Sequence, residues 1–372
     1  MAGCEEPLIA IAEKKSAEQN PGASQPSTPS TPQPSNPGTA QPSTPGTTQP
    51  STPGTAQPSN PGTPQPSTPG TPTPSTPTWY VSAGGSDTYT GTDISKPLAS
   101  VQTALSRIKT AYKGRNWPAG ESAVIVISGT ITASGSFDSS MSMVNVSGTG
   151  NYPPIILKGD PNQKGVLNAN RNSSNEGRVL YIANNKVTLG DDLTLTGGYT
   201  VWGGGVLVGI TGSSSEGEFV MAGGEISGNT GQNGGGVMVL KGTMTMTGGI
   251  IQNNTNADYS STKGDGGAVY IDINASFTLN NGTIRGNGGA KTDKGGGIFI
   301  NGRGLFTMTG GEILNNTSNL EGGGVLVAAY SQFIMSGGTI SGNTSARSGG
   351  VSVSPYNANF TQTGGTISGN TP

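Results

Sequence analysis

Chemistry in this chain would fall to carboxylates, because it has no histidine and a single cysteine, Cys4. Lyases and hydrolases of polysaccharides need such carboxylates clustered, for Ca²⁺ or for acid–base work, with a Lys or Arg beside them. From Trp79 onward the chain carries 17 acidic and 17 basic residues, and they are scattered. Asp191-Asp192 is the one adjacent acidic pair in that stretch. On a strand the two side chains would point to opposite faces, and in a turn they would be solvated. The spacing of an EF-hand loop is absent, so no catalytic residue, metal or cofactor is expected.

Two other sets of polar residues are better organised. Asn229, Asn254, Asn287, Asn316, Asn343 and Asn370 each stand three residues after an isoleucine. They are expected to stack as a structural ladder along a turn, where amides can pair from coil to coil and where Asn tolerates left-handed backbone. Asp265, Lys294, Glu321 and Arg347, preceded by Asn233, stand before Gly-rich runs. Stacked, they would alternate in sign. They would then serve as a ladder that fixes register, or as a rim for a polar ligand, although exposed pairs contribute only about 0–1 kcal/mol each. Trp202, Tyr259 and Tyr330 lie in or beside longer segments and could stack on sugar rings or simply pack.

The rest of the composition limits the partners. Residues 21–78 contain 18 of the 26 prolines and no charged residue. Such a segment cannot bury enough apolar surface to offset its chain entropy, and is expected to be a disordered or extended linker. A Gln-Pro-Ser unit returns in it every eight residues from Gln25, which suits a spacer of polyproline character. The formally neutral remainder has no basic block, so no nucleic acid partner is expected. No run of 18 apolar residues would span a bilayer.

Periodicity supplies the elements that would position these residues. Leu98, Val101, Leu105, Ile108 and Tyr112 share one helical face, with Ser95 or Ser100 as the cap. Ala123–Ile127 reads as a buried strand ended by Ser128-Gly129. From Gly203 a cycle of about 27 to 32 residues repeats, with Gly-rich runs at Gly203, Gly234, Gly266, Gly295, Gly322 and Gly349. A second cluster recurs at Phe219, Met244, Phe277, Phe306, Phe333 and Phe360. Its i+2 partners are Met221, Met246, Leu279, Met308, Met335 and Gln362. After a Gly-Gly or Asn-Gly pair in most cycles come Ile226, Ile251, Ile284, Ile313, Ile340 and Ile367. The i, i+2 spacing is a strand period. Three short strands per cycle make one coil of a solenoid, with Phe, Met/Leu and Ile columns inside.

The segment Tyr80-Val81-Ser82, Gly85-Ser86-Asp87, Gly91-Thr92, Pro97 and Val101-Gln102-Thr103-Ala104-Leu105 resembles the N-terminal module of right-handed parallel β-helix proteins of the pectate-lyase-like kind. That resemblance implies an all-β, right-handed parallel β-helix solenoid whose α-helix caps the first coil. The Gly-Gly cycles look like the repeats of bacterial surface proteins, namely polymorphic outer-membrane-type proteins and spirochaete or gut-bacterial β-helix lipoproteins. The Gly-Gly-Ala-[Ile/Val/Leu] motif of the former occurs literally once, at Gly266-Gly267-Ala268-Val269. Ala2-Gly3-Cys4 resembles the end of a bacterial lipobox, which implies lipid attachment at Cys4.

The expected organisation is an anchor remnant (1–20), the linker (21–78), a cap with an amphipathic helix (79–122) and β-helix repeats (123–372). The expected function is non-enzymatic: a lipoprotein on the bacterial cell surface or outer membrane, facing outward, that binds host or matrix glycans or proteins. Its membrane contact would be the lipid on Cys4. A carbohydrate-active lyase or hydrolase, with its groove on the coils of 123–199, is the alternative. Phe360 and Ile367 end the last cycle without a capping repeat, so end-to-end self-association through that coil is also expected.

Overall fold

In the computed structural model, residues 76–113, 121–137, 140–147, 153–210, 216–258 and 262–372 are described. Cys4 and nearly all of the 21–78 segment lie outside them. Every pairing between the named strands is parallel, and each strand pairs with its counterpart one coil away. Short parallel strands that return at a fixed period form a parallel β-solenoid, as expected. Thr78–Ser82 is the first strand, so pairing begins at Thr78, which the sequence had placed in the linker.

Three faces wrap the core. An 18-stranded sheet bends into the first two. One holds the Phe column and the other the Ile column: Phe277 aligns with Phe306, and Ile284 with Ile313. The expected strand end at Gly129 is a bend instead. Ala123–Thr132 is one strand, pairing in its first half with Ile155–Gly159 and in its second with Gly165–Asn168. Gly129, with φ of 72°, lets the chain turn this corner without stopping. The third face is an eight-stranded sheet running from Ser142–Val146 to Val351–Val353. At about 4.8 Å per strand it is about 34 Å long.

A short fourth sheet, which the three-strand cycle did not anticipate, lies just before the Gly-rich runs. It contains Tyr199–Trp202, Thr230–Asn233, Thr255–Asn256, Gly264–Asp265 and Thr292–Lys294.

The Phe, Met/Leu and Ile columns are fully buried through Phe333, Met335 and Ile340. Successive Phe rings stack, with centroids 4.7 to 5.2 Å apart from Phe277 to Phe360. In the last coil Phe360 and Ile367 are half-buried and Gln362 is exposed. The helix Val101–Ala111 lays Val101, Ala104, Leu105 and Ile108 on the core, and Ser100 caps it by accepting from the Thr103 N–H. Leu98 is buried but precedes the helix, in a bridge with Val81.

Candidate functional site

The Gly-rich runs build an outer groove. The first glycine of each triplet has left-handed φ, 60° at Gly203 and 68° at Gly234. A Cβ at Gly234 would lie 2.2 Å from the Val237 carbonyl oxygen, so only glycine fits this bend. The bend brings the fourth sheet round into the third face. In each third-face strand the residues on either side of one middle position face the core, and that one points away. Those middle residues align in register as Asn145, Tyr181, Leu207, Met238, Tyr270, Phe299, Leu326 and Ser352. From Tyr181 to Leu326 they pack with Ala183 and Leu240 into an apolar cluster separate from the core, each no more than 8% exposed. Tyr270 stacks on Phe299 at 5.0 Å.

At the N-terminal end of this strip a cleft of about 530 Å³ opens, within the size range of small-molecule sites. Its floor is Tyr181, Leu207 and Leu240. Its walls include Asn145, Arg178, Asn184 and Trp202. Arg178 is only 7% exposed. Its Nη1 donates to the Ser140 carbonyl at 2.5 Å and its Nε to the Trp202 carbonyl at 3.3 Å. Burial lowers its pKa to about 10, partly offset by Tyr181, so it stays cationic at neutral pH. No carboxylate among the described residues lies within ion-pairing distance of it. The side-chain oxygens of Asn145 and Asn184 are buried and accept no hydrogen bond. Trp202 is 43% exposed.

A second hollow, about 630 Å³, lies further along the fourth sheet and is lined by Lys263, Asp265, Asp293 and Lys294, among others. Lys263 pairs with Asp293 at 3.7 Å. Burial pushes the Asp265 carboxyl up to about 7, and Asp293 adds to the rise while Lys294 opposes it. Burial, then Asp272 and Asp265, raise the Tyr270 hydroxyl above the usual tyrosine range. Asp272 itself accepts from Asn301 Nδ2 at 2.9 Å.

The six ladder asparagines come together. Each Nδ2 from Asn229 to Asn343 donates to the Oδ1 of the next at 2.9 to 3.0 Å. Each Oδ1 from Asn254 to Asn370 also takes the backbone N–H of the Asn before it. The column is buried up to Asn343. None of its members is left-handed. That role belongs to the residue just before each: Gly228, Asn253, Gly286, Asn315, Gly342 and Gly369.

The charged column is aligned too, with Asn233 opposite Asp265, Asp265 opposite Lys294, and Lys294 bridged to Glu321. Its ion pair within bonding distance is Arg347 with Glu321. Glu321 is 1% exposed and its Oε2 has no partner.

Asp191-Asp192 sits in a turn, with Asp192 at φ 59° and 3.9 Å from Lys164. Tyr330 is 57% exposed at a turn with φ 64°, while Tyr259 falls outside the described residues. Among the described residues no three acidic, Cys or His side chains could hold a metal, and no helix is long and apolar enough to cross a membrane.

The cleft around Arg178 was not anticipated, although it lies mostly in the coils proposed for the alternative. The one sequence signal was in the third-face strands, which read Val-Leu-Val, Val-Met-Val, Val-Tyr-Ile and Ile-Phe-Ile. An apolar residue at the middle, outward position of these four strands departs from strand alternation.

No family model matches the chain, and no curated protein sequence matches it. Among solved structures it is similar to a GH136 lacto-N-biosidase from Eubacterium ramulus. The identity is 11%, over 78% of this chain and 67% of that one, with a TM-score of 0.22. At that score the similarity carries no argument about function.

Proposed function

We propose that the protein is a non-catalytic binding protein of the bacterial cell surface that holds a glycan in the cleft between Arg178 and Trp202. The observation that carries this reading is the composition of the cleft. An exposed Trp202 and an apolar floor suit the ring of a ligand, and the amide side chains of Asn145 and Asn184 in the same lining suit its hydroxyls. A mostly apolar hollow with a few polar groups is the usual character of a small-molecule site. Surface display rests on the lipobox-like Cys4 and the proline-rich spacer, and would be checked by acyl labelling of the natural chain against Cys4→Ser.

A glycan array probed with the natural chain and with Trp202→Ala tests the binding reading. Binding to a restricted set of glycans, lost in the variant, is expected. An array with no signal, or one unchanged by the variant, would refute it.

A hydrolase is the second reading, favoured by one observation. Asp265 lines the second hollow together with Asp293, and burial pushes its carboxyl up to about 7. A carboxyl near neutral pKa suits a general acid. Turnover of any array-positive oligosaccharide that disappears in Asp265→Asn would favour this reading over the first.

A further inference from the structure

We infer that the cleft selects a carboxylated sugar, with the carboxylate held by Arg178; this rests on the glycan reading above. The guanidinium is nearly buried, yet both of its hydrogen bonds go to neutral carbonyls, on Ser140 and Trp202. Among the described residues its positive charge meets no negative one. Buried charges are ordinarily paired, because an isolated ion in a low-dielectric site is costly. The two carbonyls hold the fork in one orientation, and Nη2 takes no partner among the described residues. Arginine binds carboxylates through such a preset planar fork.

A bare anion does not satisfy the rest of the cleft. The amide side chains of Asn145 and Asn184 line it as well, and Trp202, 43% exposed, adds an aromatic ring to the same lining. A sugar acid suits all three features: one carboxylate, several hydroxyls and a ring with an apolar side. Among the described residues a neutral sugar would leave the cation facing only two carbonyls and the Tyr181 ring, and inorganic phosphate would leave the indole and the amides unused.

The test is calorimetric titration with two matched pairs: trigalacturonate against its carboxyl-reduced form, and sialyllactose against lactose. A sulfated neutral trisaccharide is the control for charge alone. The natural chain should prefer the acidic member of at least one pair by tenfold or more, and prefer it over the sulfated sugar. Arg178→Gln should bring that acid down to the affinity of its neutral partner, and Arg178→Lys should recover only part of the preference. If the arginine variants fail to fold, Asn184→Asp serves instead, since it sets a carboxylate at the cleft wall. It should abolish the preference, bringing the acidic sugar to or below the affinity of its neutral partner.

Neutral sugars bound as well as acidic ones, in a manner sensitive to Trp202→Ala, would overturn this inference and leave the glycan reading standing. A preference for the sulfated sugar would overturn the carboxylate assignment. Binding of no sugar at all would remove both.

Discussion

The Nδ2 of Asn287 donates to the Oδ1 of Asn316 at 2.9 Å, and the backbone N–H of Asn287 reaches the same oxygen at 3.0 Å. The second Nδ2 hydrogen is shared between the carbonyls of Ile251 and Arg285. In turn, the Asn287 Oδ1 accepts both the N–H and the Nδ2 of Asn254. One amide thus links three coils, and every donor and acceptor it owns is used inside the protein. An unsatisfied buried group costs about 1–3 kcal/mol, so such a network is stabilising only when complete.

Asn287→Ala strips partners from Asn254, Asn316 and Ile251 together. The expected loss is about 3 kcal/mol or more, read as a fall of several degrees in the thermal unfolding midpoint. Asn370, at the end of the ladder and part-exposed, should cost far less on the same change. Equal shifts for the two variants would show that stacking inside the ladder contributes nothing.

Phe306 lies between Phe277 and Phe333, with centroids 5.2 and 4.7 Å away. Phe306→Ala should destabilise by about 3–5 kcal/mol, because the cavity lies in the middle of a stacked column that cannot collapse around it. Phe360→Ala opens onto solvent and should cost under half as much. Denaturant unfolding of both variants, followed by circular dichroism, decides the point.

Much of this architecture could be read from spacing alone. Phe277, Phe306 and Phe333 recur with a fixed offset to Ile284, Ile313 and Ile340, and an offset that constant, in cycles of similar length, allows little besides coil upon coil. The site was less legible because its contacts are not periodic. Arg178 is held by Ser140, 38 residues earlier, and by Trp202, 24 residues later. No local pattern marks that junction. Gly129 was misread for a related reason: as a glycine after a β-branched run it signals a strand end, whereas here its positive φ turns a strand that continues. The left-handed position beside the Asn ladder was displaced by one residue, because Gly and Asn both occupy it.

Glu321 is buried against a half-exposed Arg347, and one of its carboxylate oxygens has no partner. Removing one member of such a pair leaves an unpaired charge, whereas removing the charge itself does not. Arg347→Met should therefore destabilise more than Glu321→Gln, with the latter close to neutral. The reverse order in thermal midpoints would mean that the pair is screened by water.

Asp265 gives the protein a pH dependence of definite sign. Its carboxyl, ordinarily near 3.8, is pushed up to about 7 by burial and by Asp293, against the pull of Lys294. Between about pH 4 and 7 the folded protein therefore holds a proton here that the unfolded chain has released. Stability falls with rising pH wherever the folded state binds more protons. The contribution of this group is fully favourable below pH 4, declines toward pH 7 and then levels off. Asp265→Asn keeps the shape and abolishes the titration. The thermal midpoint of the variant, measured against the natural chain, should gain steadily from pH 4 to 7 and hold that gain above. A difference that stays constant across this range would place the Asp265 carboxylate in water rather than against Tyr270 and Asp293.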